Sequence, residues 1–230
     1  MFLFERLKGK RPLAGYYGYW VVLTYLSVGL SFFGMFFALR GNDYITHAIV
    51  CLMLAGVCDT FDGKVASTKK RDTRQKNYGI QIDAMADLIS FGVFPAVIGL
   101  ALWLNNDNTF GWFGAVIAAV FALAALIRLA HFNVNELESQ SKNECRKSFE
   151  GLPSTTAALI IPLVFSVCNI LVYNGINAPF YFVYGITLIV IAMLFVLRFP
   201  FPKPRGKTMI IMWIIGAPVT IGLLIYGVTL

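Results

Sequence analysis

Seven runs of this chain are apolar for about 20 residues each, long enough to cross roughly 30 Å of hydrocarbon as helices. They fall at residues 17–39, 45–66, 79–104, 110–132, 153–172, 179–197 and 209–228. Lipid offers a backbone amide no partner, so each run must be a helix that satisfies its own hydrogen bonds. The expected fold is an all-α integral membrane protein. It is a bundle of about seven transmembrane helices forming a single transmembrane domain over residues 1–230. Residues 1–16, which open MFLFERLKGK, read as a candidate amphipathic segment lying on the membrane surface. The first apolar run is too long for a cleaved signal's core, and no small-x-small site follows it.

Charge supports the count of spans. With the N-terminus inside, all but Arg40 of the 19 basic residues fall on the inner side. That asymmetry predicts N-terminus in and C-terminus out. The formal net charge of +7 comes from residues bordering spans. It therefore points to anionic membrane lipids as neighbours and not to nucleic acid. Cys51, Cys58, Cys145 and Cys168 show no CxxC pairing and read as small apolar filler. His47 and His131 are too sparse for a metal site.

The unusual stretch is CDTFDGKVASTKKRDTRQKNYGIQIDAMADLISFG, residues 58–92. Asp59 and Asp62 are three apart, and Asp83 and Asp87 are four apart, so on helices each pair shares a face. The spans are antiparallel neighbours, so all four carboxylates can meet near the inner membrane surface. Four carboxylates held together need counter-charge. An all-oxygen donor set suits a hard divalent cation, Mg²⁺ or Mn²⁺, with Ca²⁺ as an alternative occupant. Gly63, Ala66 and Gly79 leave room beside them for something bulky, as a phosphorylated substrate is. A structural role, with the acids paired to Lys64 or the loop cations, explains one aspartate more easily than four.

The pattern Asp59-x2-Asp62-Gly63-x2-Ala66 … Gly79-x3-Asp83-x3-Asp87 resembles the signature of the CDP-alcohol phosphotransferases. That resemblance implies a six-helix membrane core, a homodimer, and displacement of CMP from a CDP-linked substrate by an alcohol. Two departures stand out. Ser67 occupies a position where the family pattern has arginine, and the gap to Gly79 is about three residues longer, as one extra helical turn would make it. Arg71 or Arg74 is then expected to reach the lipid or substrate phosphate. DLISFGVFPA (87–96), IRLAHFNV (127–134) and FEGLPSTTAA (149–158) are similar to the phosphatidylserine synthase branch of that family. His131 and Thr155 stand where that branch usually has arginine and often has proline.

The implied reaction joins CDP-diacylglycerol and L-serine to give phosphatidylserine and CMP. By the same resemblance Asp59, Asp62 and Asp83 would ligate metal. Asp87 would ligate metal or take the proton of the serine hydroxyl. Asp59, Gly63, Ala66, Ser67 and Gly79 would line the nucleotide site. Arg128, inside span four near its inner end, is the candidate for the serine carboxylate, with Asn133 and Ser154 beside it and Lys147 for the lipid phosphate. A snorkelling topology anchor is the other reading of Arg128. The implied location is the plasma membrane of a prokaryote, with the site on the cytoplasmic side. The alternatives are the same chemistry on glycerol 3-phosphate or inositol phosphate, or with an ether-lipid donor. A divalent-cation transporter is the rival of another class, but its acids should spread across membrane depth and not cluster at one rim.

Overall fold

The apolar runs become helices because nothing else can close their backbone hydrogen bonds in lipid. The computed structural model describes residues 15–106, 111–142, 148–150, 152–175, 179–197 and 200–202, with residues 218 and 222 in isolation. Helix α1 spans Val22–Leu39, entered through a 3₁₀ turn at Tyr19–Val21. Helix α2 spans Ile45–Ser67 and α3 spans Thr73–Asp87. A π-helical turn, Leu88–Val93, joins α3 to α4, Phe94–Asn106, making one continuous rod. Helix α5 is Gly111–Lys142, α6 is Ala157–Tyr173 and α7 is Phe180–Val196.

Five of these helical stretches are long and apolar enough to cross a membrane, and Phe180–Val196 is a shorter apolar helix. This is an all-α integral membrane protein. The expected seventh span, residues 209–228 apart from 218 and 222, and the surface segment of residues 1–16, all but its last two residues, lie outside the described residues. α5 runs ten residues past the expected end at 132. Hydropathy marks the lipid-facing length and not the helix, which continues through polar residues beyond it. One feature departs from the helical expectation. An antiparallel ribbon pairs β1, Ser148–Glu150, with β2, Pro200–Pro202, tying the chain after α5 to the chain after α7.

The extra residues between Ser67 and Gly79 also find their place. Asp72 caps α3, its carboxylate accepting from the Gln75 amide at 2.6 Å, so the helix begins six residues before Gly79. The π turn has a cause in Pro95, which lacks an N–H and whose ring would crowd the preceding turn of a regular helix. Widening that turn relieves the clash, and the Phe94 amide reaches back to the Ile89 carbonyl. The Pro95 carbonyl is then taken by the buried Tyr184 hydroxyl of α7 at 3.0 Å.

Helices approach closely where a glycine meets a large ring, the usual route to tight packing when lipid removes the hydrophobic drive between helices. Gly34 of α1 faces Phe94, Gly99 faces Tyr184 and Leu188, and Gly114 of α5 faces Trp103. A methyl group at Gly34 would overlap the Phe94 ring, which is completely buried. Gly34→Ala should therefore destabilise the bundle by about 1–3 kcal/mol. The check is the thermal midpoint in detergent, and Phe94→Leu in the same chain should restore part of the loss. An unchanged midpoint for Gly34→Ala would show that the ring yields freely. Between the same elements, Ser31 donates to Ser90 at 2.8 Å, a buried polar tie from α1 to the π turn.

Candidate active site

The carboxylates come from two helices that meet at a short turn. Asp59 and Asp62 lie in the last turns of α2, and Asp83 and Asp87 in the last turns of α3. Asp59, Asp83 and Asp87 each offer an oxygen within 4.8 Å of the others'. Asp62 stands beside them, buried, its Oδ2 accepting from the Thr24 hydroxyl of α1 at 3.0 Å. Interactions run across the helices as well as along them, Asp59 with Asp87 and Asp62 with Asp83. Spacing on one helix shows which residues share a face. It does not show which will touch once two helices pack. The Ser154 hydroxyl, in the 3₁₀ turn that leads into α6, donates to Asp87 Oδ2 at 3.2 Å.

This donor set fits a hard divalent cation. It is entirely carboxylate, it is gathered within coordination reach, and no basic side chain among the described residues forms an ion pair with it.

Two cavities meet at the acids and share Asp62, Gly63 and Asp83 as lining. The larger, about 610 Å³, adds Trp20, Ala66, Arg71, Lys76 and Gly79. The smaller, about 200 Å³, adds Asp59, Asp87, Arg128, Ser154 and Thr155. A side chain at Gly63 would meet nothing within 4 Å, so this glycine borders open space. Gly79 does not: a methyl there would stand 3.0 Å from Arg71 Nη1 and 3.4 Å from the Trp20 ring.

Arg128 points its charge into the smaller cavity and is half-buried. Its guanidinium lies 5.5 Å from the Phe195 ring centre, and its buried Nε has no hydrogen-bond partner. The other expected residues are placed less centrally. Asn133 donates to Gln81 at 3.2 Å, a tie between α5 and α3, and is not among the lining residues of either cavity. Ser67 is exposed at the end of α2 and bonds the Lys64 carbonyl at 2.7 Å. Arg74 is exposed and lines neither cavity, and Lys147 lies outside the described residues.

Sequence reasoning missed Thr24 and Trp20. Both sit in an apolar, aromatic stretch where nothing marks them out. Only the fold of α1 onto α2 and α3 brings them to the acids.

A helical membrane bundle with carboxylates clustered between two cavities defines a membrane protein with a donor set that could hold a divalent cation. Its family is given by the sequence. The CDP-alcohol phosphatidyltransferase profile matches residues 21–198, and the chain belongs to that family. It is 36% identical over 148 residues to CDP-diacylglycerol–serine O-phosphatidyltransferase of Saccharomyces cerevisiae, covering 63% of this chain and 50% of the yeast protein. It is 30% identical over 170 residues to the enzyme of that name from Helicobacter pylori strain 26695, covering 74% of this chain and 67% of that protein. It is 25% identical over 186 residues to archaetidylserine synthase of Methanothermobacter thermautotrophicus, covering 80% of this chain and 70% of that protein. The chain thus matches about half the length of the yeast relative.

Proposed function

We propose that this chain transfers the phosphatidyl group of CDP-diacylglycerol to the hydroxyl of L-serine, giving phosphatidylserine and CMP. The observation that carries the reading is the pair of unequal cavities joined at the acids. The larger has cations on its wall and open space at Gly63, as a nucleotide diphosphate needs. The smaller has room for a small polar acceptor and is lined by one cation, Arg128, whose buried Nε has no hydrogen-bond partner. The relatives' names support this reading, since serine recurs in each of them.

In this reading Asp59, Asp62, Asp83 and Asp87 hold a divalent cation, Mg²⁺ or Mn²⁺, which when bound neutralises charge on the diphosphate and on departing CMP. Arg71 and Lys76 face the nucleotide side, and Arg128 pairs with the serine carboxylate. The serine oxygen bonds to the phosphorus that carries diacylglycerol, and the bond from that phosphorus to the CMP oxygen breaks. The hydroxyl proton passes to Asp87, whose Oδ2 is fixed by Ser154. A phosphorylated acceptor such as glycerol 3-phosphate is less well served. Arg128 is the single cation among the described residues lining the smaller cavity. A homodimer is part of the same proposal, on the family resemblance.

The test is CMP release from CDP-diacylglycerol by purified protein offered serine, glycerol 3-phosphate or inositol phosphate. Release should depend on serine. Turnover with a phosphorylated acceptor and none with serine would overturn the assignment. The site is further proposed to face the cytoplasm of a prokaryotic cell, because all but one of the basic residues fall on that side of the spans expected from the sequence. Cysteines introduced in the 69–76 stretch should react with a membrane-impermeant label only after the cells are opened. Labelling in intact cells would invert the topology.

A further inference from the structure

Trp20 is a large indole, 3% exposed, set at the wall of the larger cavity by a 3₁₀ turn that precedes α1. Two glycines make room for what surrounds it. A methyl group at Gly18 would overlap the indole, and one at Gly79 would touch the ring at 3.4 Å and crowd Arg71 Nη1 at 3.0 Å. The Arg71 guanidinium lies 5.3 Å from the Trp20 ring centre. Arg71 forms no hydrogen bond or ion pair among the described residues, so its charge is directed into the cavity without a protein anion to satisfy it. An arginine in a five-residue turn between two helices would otherwise sample many rotamers, and ordering such a side chain on binding carries an entropic cost. A buried aromatic face restrains it, because guanidinium is attracted to the ring and stacks on it.

We propose that Trp20 is a positioning residue: with Gly79 as the gap that admits the guanidinium, it holds Arg71 against the wall of the larger cavity as a preset contact for the diphosphate of a cytidine nucleotide. Gly79 then serves the arginine in addition to any space it leaves for the nucleotide. The proposal rests on the reading of this cavity as the nucleotide site.

The experiment uses the full chain in lipid nanodiscs with Mn²⁺ and measures binding of CDP by calorimetry. Arg71→Ala should weaken CDP about ten- to hundredfold, the usual effect of losing a charge-assisted contact. Trp20→Leu, which keeps an apolar side chain but removes the ring, should weaken it about five- to thirtyfold. Trp20→Phe should recover most of that loss. In an Arg71→Ala background, Trp20→Leu should add little, because the ring acts through the arginine. Binding of cytidine, which has no phosphate, should be the same in the wild type and in all four of these variants. Lys70→Ala removes a charge from the same turn and should change CDP affinity by less than about twofold if general electrostatics are not the cause.

Additive losses from Trp20→Leu and Arg71→Ala, or wild-type CDP affinity in Trp20→Leu, would overturn the proposal while leaving the nucleotide site in place. Failure of the wild-type protein to bind CDP would overturn the site reading and this proposal with it. If Trp20→Leu does not fold, Gly79→Ala displaces Arg71 with the indole intact. It should show the same loss and the same lack of additivity with Arg71→Ala, and additive behaviour there would be decisive against the idea.

Discussion

Asp59→Asn, Asp83→Asn and Asp87→Asn should each reduce phosphatidyl transfer to background while leaving the metal-free protein as stable as wild type or more so. The two halves of that outcome come from one arrangement. Three carboxylates within 4.8 Å of one another cannot all stay ionised when no cation is present. At such a distance one ionised pair repels by up to about 4 kcal/mol at an effective dielectric near 20. An asparagine keeps the size and removes the charge, so the apo protein loses a source of strain. The same change removes a ligand. Wild-type protein should gain about 2.7 kcal/mol of stability when Mn²⁺ reaches a hundredfold excess over its dissociation constant. The variants should gain much less. Thermal melts in chelator and in Mn²⁺, run beside the transfer assay, measure both. A variant that melts early in chelator would mean that the acids are held by protein contacts, and full turnover in chelator would remove the metal from the account altogether.

Arg128→Ala should raise the serine concentration for half-maximal rate by roughly ten- to hundredfold and leave CDP-diacylglycerol binding nearly unchanged. Losing a charge-assisted contact costs about 1.5–3 kcal/mol, which sets that range. The split between substrates follows from position. Arg128 lines the smaller cavity and not the larger, and its buried Nε is unpartnered. Arg128→Lys should recover only part, because an ammonium cannot match a carboxylate with two parallel bonds and stacks less well on Phe195. The measurements are serine dependence of the rate and nucleotide-lipid binding without serine. Lost lipid binding with an unchanged serine dependence would reassign the arginine to the phosphate. The serine pocket would then have to be sought around Ser154 and Thr155.

The sequence was most legible where physics leaves fewest choices. Six of the seven expected spans appear as helices in the described residues, within a few residues at most boundaries, because an apolar run in lipid has one way to fold. The acids were legible as a cluster because carboxylates are so costly there that four in two spans need a shared cause. Their partners were not legible. Helical spacing fixes an azimuth on one helix, while contact depends on how two helices are rotated about each other. Hence the pairing of Asp59 with Asp87, the bond from Thr24 to Asp62, and the loss of Asn133 to Gln81 came only with the fold. Gly79 teaches the same lesson: a small residue announces that space is needed, and the structure shows Arg71 and Trp20 using it.

The π turn at Leu88–Val93 sits between Asp87 and Phe94, and it acts as a phase shifter in the rod. Each residue advances an α-helix by about 100°, so a turn bonded one residue further on rotates everything beyond it by about that angle relative to the sequence before it. The face that aims Asp83 and Asp87 at the acids is thereby uncoupled from the face that sets Phe94 on Gly34 and the Pro95 carbonyl on Tyr184. Deleting one residue inside 88–93 would rewind the turn and leave the two ends out of step. Either the reacting end or the packing end would be correctly aimed, but not both. The helix therefore carries two independent angular settings on one strut, so the aim of the carboxylates at one end is set apart from the packing at the other.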